Sequence, residues 1–272
     1  MYDLNDKVVL ITGAARGIGA VVVDHFLEEG AKQVRILDVD EKSGVAVQDE
    51  LNGKYGEDKA KFVKCDVTNQ EEFYAALTDA KDDHGYIDVL INNAGVTNES
   101  TLELVRKQIE INFIATINGT LKAIELMRKD QGGRGGTIIN IASIAGLLPI
   151  CPPLFIYSST KSGVLQFSTC IGRDPCAGTG VRVMSICYGV TDTSIIGNMK
   201  CIDSSADDKV QSIVGSYPMQ STQSAARGTV EVFQKGESAS IWLVQNGEPA
   251  KDLSPYLQKA DTAISRVLKG LE

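Results

Sequence analysis

Tyr157 and Lys161 are four residues apart in the segment YSSTK. Side chains at positions i and i+4 of a helix emerge on one face and can reach each other. A free phenol titrates near about pH 10, but an ammonium about 4 Å away at an effective dielectric of about 20 contributes about 4 kcal/mol, or about three pKa units. The pair therefore predicts a tyrosine that accepts a proton from an alcohol near neutral pH.

Two other polar residues can complete this site. Ser143 lies two residues past a predicted strand, at the edge where ligands of open α/β sheets collect, and its hydroxyl can hold a substrate oxygen. Asn112 interrupts a largely apolar helical segment and can orient a water that links Lys161 to solvent. Each residue alone also fits an ordinary role, as a helix-surface pair, a loop serine or a kink. The prediction of a catalytic site therefore rests on the four residues taken together.

A glycine-rich turn predicts a dinucleotide site. Gly13, Gly17 and Gly19 follow the first predicted strand and open a helix, the context in which backbone N–H groups bind a pyrophosphate. Asp38 ends the next strand and can accept hydrogen bonds from ribose hydroxyls, whereas it repels a 2′-phosphate. Arg16 argues for NADP because a guanidinium can pair with that phosphate. We give Asp38 more weight and predict NAD, with a solvated strand-end carboxylate as the alternative.

The loops after the third and fourth predicted strands also carry polar residues. Asp66 in CDVT can accept from the adenine amino group, or it can cap the helix that begins near Asn69, and both interpretations stay open. Residues 92–95 are NNAG, in which amides can satisfy loop carbonyls and the glycine lets a cofactor lie against bare backbone. We expect this loop to contribute to both structure and binding.

The elements that must position these residues alternate along the chain. Short β-branched runs alternate with amphipathic helix-length segments, which predicts an α/β fold with a single doubly wound parallel seven-stranded sheet and helices on both faces (Rossmann-type). The predicted strands are 7–12, 33–37, 61–65, 87–91, 136–141, 181–186 and 240–244. The predicted helices are 17–29, 42–54, 70–83, 101–129, 155–175 and 221–235.

Composition excludes several classes of protein. The net charge of −8 and the scattered lysines and arginines favour neither nucleic acid nor an anionic membrane as a partner. Two histidines and six cysteines without a C-x-x-C pair predict no metal site and reduced thiols in a cytoplasmic protein. The apolar stretch 137–157 contains polar residues and three prolines, so we expect a buried strand and loop and no membrane span.

The chain divides into one domain and a tail. We expect residues 1–245 to form the catalytic domain, with a substrate lid near 190–220, and residues 246–272 to form a helical tail. The tail can dock on its own body or on a second subunit, and the sequence leaves both open. Its apolar stripe at helical spacing comprises Leu257, Ala260, Ile264, Val267, Leu268 and Leu271.

These motifs resemble one family. TGAARGIG, CDVT, NNAG, Asn112, Ser143 and Tyr157-x-x-x-Lys161 stand in the order of the short-chain dehydrogenase/reductase family, over residues 7 to about 245. LINNAGVTNES, GGRGGTIINIASIAGLLP and GVTDTSI are most similar to the branch of insect-type alcohol dehydrogenases and NAD-dependent 15-hydroxyprostaglandin dehydrogenase. The resemblance implies NAD as cofactor, Tyr157 as base, Lys161 lowering its pKa and holding the nicotinamide ribose, Ser143 positioning the substrate and Asn112 completing a proton relay. The cofactor-binding residues that it implies are Gly13, Arg16, Gly17, Ile18, Gly19, Asp38, Val39, Cys65, Asp66, Val67, Asn93, Ala94, Gly95, Tyr157, Lys161, Gly189, Val190, Thr191 and Thr193.

Two positions depart from the family's pattern. Tyr188 stands where the family has proline before Gly189, beside the nicotinamide amide pocket. Leu154 stands where prostaglandin dehydrogenases have a glutamine, which argues against a prostaglandin.

The substrate loops, 144–156 and 190–220, predict an apolar pocket for a lipophilic alcohol or ketone. The alternatives are a 15-hydroxyprostaglandin, steroid or ecdysteroid dehydrogenase and a non-catalytic lipid carrier or regulator. By the resemblance we expect a homodimer or homotetramer through helices 101–129 and 155–175. The apolar residues expected in the pocket are Leu147, Leu148, Ile150, Leu154, Phe155, Ile195, Ile196, Met199, Ile213 and Val214.

Overall fold

The computed structural model describes residues 1–173 and 178–271. Its core is one sheet in the order β3-β2-β1-β4-β5-β6-β7-β8, in which the first seven strands along the chain pair in parallel. The doubly wound parallel sheet of seven strands is therefore confirmed. The strands are β1 (Val8–Thr12), β2 (Gln33–Asp38), β3 (Ala60–Lys64), β4 (Val89–Asn92), β5 (Gly136–Ser143), β6 (Val181–Tyr188), β7 (Ile241–Val244) and β8 (Lys251–Asp252).

Helices cover both faces of the sheet. Every residue of β1, β4 and β6 is buried, as strands with helices on both faces require, and this explains their continuous apolar runs. One core cluster joins the sheet to α1 and α10, and a second joins the other face to α3, α5 and α7. The helices are α1 (Gly17–Glu28), α2 (Glu41–Tyr55), α3 (Gln70–His84), α4 (Leu102–Ile109), α5 (Ala115–Met127), α6 (Ile144–Leu147), α7 (Phe155–Arg173), α8 (Ser194–Gly197), α9 (Asp207–Gly215), α10 (Thr222–Lys235) and α11 (Ser254–Leu268).

The chain order creates a crevice between β1 and β4. From β1 the chain adds β2 and then β3 on one side of the sheet, and it then returns so that β4 pairs with the other side of β1. Ligands of open α/β sheets bind at the carboxyl ends of the strands at such a reversal. The glycine turn after β1 and the NNAG loop that begins at the end of β4 meet at this crevice.

The structure corrects the predicted ends of one strand and one helix. Ser143 is the last residue of β5 and not a loop residue, because β5 stays paired with β6 as far as the Ser143–Tyr188 register. The predicted helix 101–129 is one helical segment from α4 to α5, but a π-helical turn at Glu110–Ile114 interrupts its regular hydrogen bonding and it ends at Met127. The predicted helix 155–175 corresponds to α7, and its last two residues, 174 and 175, lie outside the described residues.

The predicted tail begins as part of the sheet. β8 pairs antiparallel with β7, an eighth strand that the sequence analysis missed because it has only two residues, both charged. Among the described residues, α11 makes its apolar contacts with the body through its first turn, at Leu257 and the preceding Leu253, and Asp261 lies 3.8 Å from the Arg173 guanidinium. Ile264, Val267 and Leu268 are 58%, 56% and 81% exposed, so most of the predicted apolar stripe is uncovered by this chain. No helix within 1–173 and 178–271 has the length and apolar character that crossing a membrane demands.

Candidate active site

The end of β5 and the first turns of α7 bring three of the predicted catalytic residues together. Tyr157 and Lys161 lie one turn apart on α7, and the lysine Nζ is 5.8 Å from the centre of the tyrosine ring. Ser143, at the end of β5, lies close enough to the phenol for a hydrogen bond that lowers the pKa of Tyr157. A hydroxyl, a phenol and an ammonium therefore share one corner of the crevice.

Lys161 is almost fully buried. Its ammonium donates a hydrogen bond to the carbonyl of Ile141 at 2.9 Å, and its side chain has no carboxylate partner among the described residues. Loss of hydration on burial lowers the pKa of Lys161 to about 8, and the nearby Cys187 thiol opposes this in part. The site thus holds a lysine whose proton is unusually easy to lose.

Burial decides the direction in which the pKa of the Tyr157 phenol is shifted. It raises this pKa above its usual value, and a hydrogen bond with Ser143 opposes the rise. The Lys161 ammonium bonds to the carbonyl of Ile141, and the lowering of the Tyr157 pKa by Lys161 stays a prediction. A positively charged bound molecule would favour the phenolate further.

Asn112 lies in the π-helical turn, close to Lys161. Its amide oxygen accepts from the backbone N–H of Val96 at 2.8 Å, and its amide nitrogen donates to the Val96 carbonyl at 2.9 Å. A Cβ built on Gly95 would be 3.5 Å from both the Asn112 Oδ1 and the Lys161 Nζ, so the two groups face the same point. The amide thus holds the NNAG loop in place, and its role toward a water stays a prediction.

The buried ammonium of Lys161 predicts a pH-dependent cost in stability. Below pH 8 the lysine is charged in both folded and unfolded chains, so the desolvation penalty applies in full. Between pH 8 and 10.5 the unfolded chain binds the proton that the folded chain has lost, so stability rises with pH. At pH 7 the free energy of unfolding of Lys161→Met should therefore exceed that of the parent by up to about 3 kcal/mol, and the variant should unfold at a higher temperature.

Thermal unfolding from pH 6 to 10 measures this effect. The stability gap between Lys161→Met and the parent should close as the pH rises above 8. Lys107→Met removes an exposed lysine from α4 and serves as the control, with no such pH-dependent gap. A gap of constant size across this range would contradict the argument.

The glycine turn and the NNAG loop interlock at the crevice. Gly13 and Gly17 have φ angles of 63° and 60°, a left-handed conformation that favours glycine. A Cβ on Gly13 would lie 2.8 Å from the Ala94 Cα, so the two loops touch through bare backbone. The amide of Asn93 donates to the carbonyls of Thr12 and Gly13 at 2.9 and 3.0 Å. The Asn93 amide therefore fixes the conformation of the glycine turn, the segment whose backbone N–H groups we call the cofactor cradle.

The carboxylate of Asp38 lies beside this cradle. Its two oxygens accept from the backbone N–H groups of Ala15 and Asp40, both at 3.0 Å, which leaves each oxygen with a free lone pair. The Arg16 guanidinium points elsewhere, with its Nη1 3.6 Å from the Asp40 carboxylate. Hydrogen bonds from Ser43 and the charge of Arg16 hold the pKa of Asp40 below its usual value. A carboxylate that is already fixed thus faces the position expected for a ribose.

The adenine side of the predicted site lies at the end of β3. The Asp66 carboxylate accepts from the N–H and hydroxyl of Thr68 at 2.9 and 2.7 Å, while Asn69 caps α3. The helix-cap interpretation of Asp66 is therefore wrong. Cys65 and Val67 are buried on either side of it, and burial raises the pKa of the Cys65 thiol to about 12. Val39, by contrast, is 56% exposed at the end of β2.

The segment after β6 forms the other wall of the crevice. Gly189 packs against Gln245, since a Cβ on it would lie 2.5 Å from that side chain's Cβ. The Thr193 methyl lies 3.8 Å from the Cβ position of Gly17, so the start of the predicted lid segment lies opposite the glycine turn. Tyr188 fills the position before Gly189 with a side chain whose hydroxyl bonds to Thr229 on α10. This tyrosine is anchored to the core, and its burial raises the pKa of the phenol.

An apolar cleft adjoins Ser143, Tyr157 and Lys161. The space within it, open solvent at the mouth included, is about 940 Å³, and among the described residues that line it Lys161 is the only charged one. The predicted Leu147, Leu148 and Phe155 do not line it, and Leu148 and Phe155 are 65% and 50% exposed because they point outward. Its apolar lining predicted from sequence comprises Ile150, Leu154, Ile195, Ile196, Met199, Ile213 and Val214, and sequence reasoning missed Ile144, Ala145, Cys151 and Tyr217.

Comparison with known proteins gives consistent results. The family model described as short chain dehydrogenase matches residues 7–200. The chain is 36% identical over 199 residues to 15-hydroxyprostaglandin dehydrogenase (NAD+) of Homo sapiens, covering 72% of this chain and 73% of that protein. It is 33% identical over 254 residues to alcohol dehydrogenase 2 of Ceratitis cosyra, covering 91% and 95%. The solved structure of gox2181 superposes with a TM-score of 0.77 at 22% identity, covering 90% and 96%, which supports the fold.

Proposed function

The chain belongs to the short-chain dehydrogenase family, and from that premise we propose that it transfers a hydride between NAD and the hydroxyl-bearing carbon of a lipophilic alcohol. The observation that carries this proposal is the grouping of Ser143, Tyr157 and Lys161 at one end of an apolar cleft. The named activities of the relatives, an NAD+ hydroxyprostaglandin dehydrogenase and an alcohol dehydrogenase, support the same reaction class.

The residues around the crevice fit a dinucleotide. Gly13 and Gly17 keep the turn free of side chains where a pyrophosphate would lie, and Asp38 offers free lone pairs to ribose hydroxyls. The resemblance assigns the adenine side to Asp66 and the nicotinamide side to Tyr157, Lys161 and the segment after β6. Bound NAD would supply the hydride acceptor and a positive charge beside the phenol.

In the proposed reaction Ser143 holds the substrate oxygen and Tyr157 takes its proton. The Ser143 hydroxyl and the Tyr157 phenol line the same end of the cleft, so an alcohol oxygen can bond to both groups. The Lys161 ammonium is fixed by its bond to the Ile141 carbonyl and faces the same point as Asn112. In the proposed relay the proton would leave to solvent through a water that Asn112 orients beside Lys161. The hydroxyl proton thus goes to the phenolate as the carbon loses its hydride. Conversely, the same groups return the proton when a ketone is reduced.

The lining of the cleft favours a neutral substrate. Among the described lining residues none besides Lys161 is charged, so a carboxylate placed away from Lys161 would lose hydration without gaining a cation. Leu154 extends the apolar wall next to Tyr157. A 15-hydroxyprostaglandin remains the second candidate because of the relatives' names, and steroids and ecdysteroids fit the same apolar lining. The intact set of four catalytic residues argues against a non-catalytic lipid carrier or regulator.

A substrate panel tests the proposal. Medium-chain, isoprenoid and sterol alcohols are supplied with NAD, and NADH formation is followed by absorbance. We expect turnover with at least one neutral lipophilic alcohol, at a kcat/KM about tenfold or more above that of its matched ω-carboxylate, because an unpaired carboxylate costs more than 1.4 kcal/mol in an apolar site. Absence of NADH formation with every alcohol and prostaglandin would refute the proposed activity.

Cofactor choice is tested at Asp38. Asp38→Asn removes the negative charge that repels a 2′-phosphate and weakens the bonds to the ribose, so the preference for NAD over NADP should fall about tenfold or more. The ratio of kcat/KM for the two cofactors measures this preference. Glu41→Gln, an exposed carboxylate at the start of α2, is the control and should leave the ratio unchanged. A parent enzyme that prefers NADP would contradict the assignment.

Two wider proposals accompany the reaction. The outward-facing Leu102, Leu121 and Phe155 are 72%, 48% and 50% exposed on α4, α5 and α7, which supports a homodimer or homotetramer through these helices.

The five cysteines in the described part of the chain are free thiols, which supports a reducing compartment such as the cytoplasm.

A further inference from the structure

Glu99 is a fully buried carboxylate that the proposed reaction does not explain. Its relative exposure is 0%, and no lysine, arginine or histidine in the described ranges forms an ion pair with it. Burying an unpaired charge is costly unless hydrogen bonds compensate it closely. The position of this charge beside the crevice therefore needs a physical reason.

The carboxylate of Glu99 binds the first turn of the catalytic helix. Its Oε1 accepts from the backbone N–H of Tyr157 at 2.7 Å, and its Oε2 accepts from that of Ile156 at 3.4 Å. N–H groups in a first helical turn have no partner within the helix, and the helix dipole favours a negative charge there. One of the two bonded residues is the proposed base itself.

A second buried side chain fixes the carboxylate from α4. The Gln108 Nε2 donates to the Glu99 Oε1 at 3.3 Å, and the Gln108 Oε1 accepts from the backbone N–H of Asn98 at 2.8 Å. Gln108 is fully buried and lies one turn before Asn112. The carboxylate consequently has a single orientation, set by the helix that also carries Asn112.

The backbone of Glu99 binds the lid. Its N–H donates to the carbonyl of Lys200 at 2.7 Å, within the predicted lid segment. The Lys200 ammonium in turn lies 3.0 Å from the carboxylate of Asp207, at the start of α9. One residue thus joins the segment that covers the cleft to the helix that carries the base.

We propose that Glu99 is a positioning residue for hydride transfer, which holds Tyr157 in register with the lid. This inference rests on the proposed function, since it assigns Glu99 a role toward the base of that reaction. Displacements of about 1 Å in a reacting group can cost about a hundredfold in rate. Loss of the carboxylate should therefore slow the chemical step more than it weakens cofactor binding.

Glu99→Gln tests the inference with a side chain of the same size. The side-chain amide of Glu99→Gln has only one acceptor oxygen. Its NH₂ group therefore faces another hydrogen-bond donor, the Ile156 N–H or the Gln108 Nε2, and that donor loses its acceptor. We expect kcat to fall about tenfold or more, the Kd for NADH to stay within about twofold, and the primary deuterium isotope effect on kcat to rise. Glu103→Gln removes an exposed carboxylate from the first turn of α4, four positions along the chain, and should match the parent in all three.

The variant can also unfold at a lower temperature while its kcat per NADH-binding site and its isotope effect equal those of the parent. That result would mean a purely structural role for Glu99 and would overturn the inference. If Glu99→Gln does not fold, the double variant Glu99→Gln and Gln108→Glu is used. It keeps one carboxylate and one amide buried, but the side chain at position 99 still offers α7 only one acceptor oxygen. We expect the same loss in kcat from this double variant, and a kcat within about threefold of that of the parent overturns the inference. Failure of the proposed function itself would appear separately, as absence of turnover in the parent and in Glu103→Gln.

Discussion

Replacing Tyr157 by phenylalanine is expected to lower kcat for alcohol oxidation about a thousandfold or more while NADH binding stays within about threefold. The phenol oxygen lies beside Ser143 in the cleft and is the group that we propose takes the proton from an alcohol bound there. Phenylalanine keeps the ring, which lies over the Lys161 ammonium, so the packing of the site is preserved. Single-turnover NADH formation and fluorescence titration with NADH measure the two quantities.

Tyr256→Phe is the matched control for Tyr157→Phe. This tyrosine is 57% exposed on α11, and removing its hydroxyl should change neither quantity. A Tyr157→Phe variant with turnover near that of the parent would show that another group removes the proton. In that case the grouping of Ser143, Tyr157 and Lys161 would have a structural explanation, and the proposed mechanism would fail.

The sheet could be predicted from the sequence because its signals are local. Buried parallel strands are apolar on both faces, and the runs VVLIT, VLIN and TIINI stand out from the amphipathic segments between them. The strand ends are less predictable because neighbours set them. β5 continues to Ser143 since β6 pairs with it to Tyr188, and β8 exists only because β7 offers a free edge.

The site could be predicted only in part, because the missing facts depend on distant residues. The spacing of Tyr157 and Lys161 predicts that they share a helix face, but it cannot show that the ammonium bonds to Ile141. The same limit applies to Glu99, which lies 58 positions before the N–H that it binds. A glutamate in the loop after NNAG looks like a solvated residue until the fold buries it. Burial and orientation, which decide the pKa directions in this site, are tertiary properties.

Gly19 is the position in the cofactor cradle that tolerates a side chain least. A Cβ there would lie 2.5 Å from the Gly13 carbonyl oxygen, 2.7 Å from the Asn93 Nδ2 and 2.9 Å from the Ala14 Cα. Two of these neighbours are backbone atoms of the glycine turn, and the third is the amide that ties the turn to the NNAG loop. None of them is the free end of a flexible chain, so the turn itself has to move.

Gly19→Ala should therefore raise the Kd for NADH about a hundredfold or more, because the backbone N–H groups of the turn lose the arrangement that suits a pyrophosphate. Calorimetric titration with NADH measures this loss, and circular dichroism checks that the sheet remains folded. Gly53→Ala is the control, since a Cβ at this exposed position of α2 meets nothing within 4 Å. Alanine has the higher helix propensity, so the control should be slightly more stable and bind NADH like the parent. Equal NADH affinity in the two variants would exclude the glycine turn as the pyrophosphate site and remove the main support for a dinucleotide at this crevice.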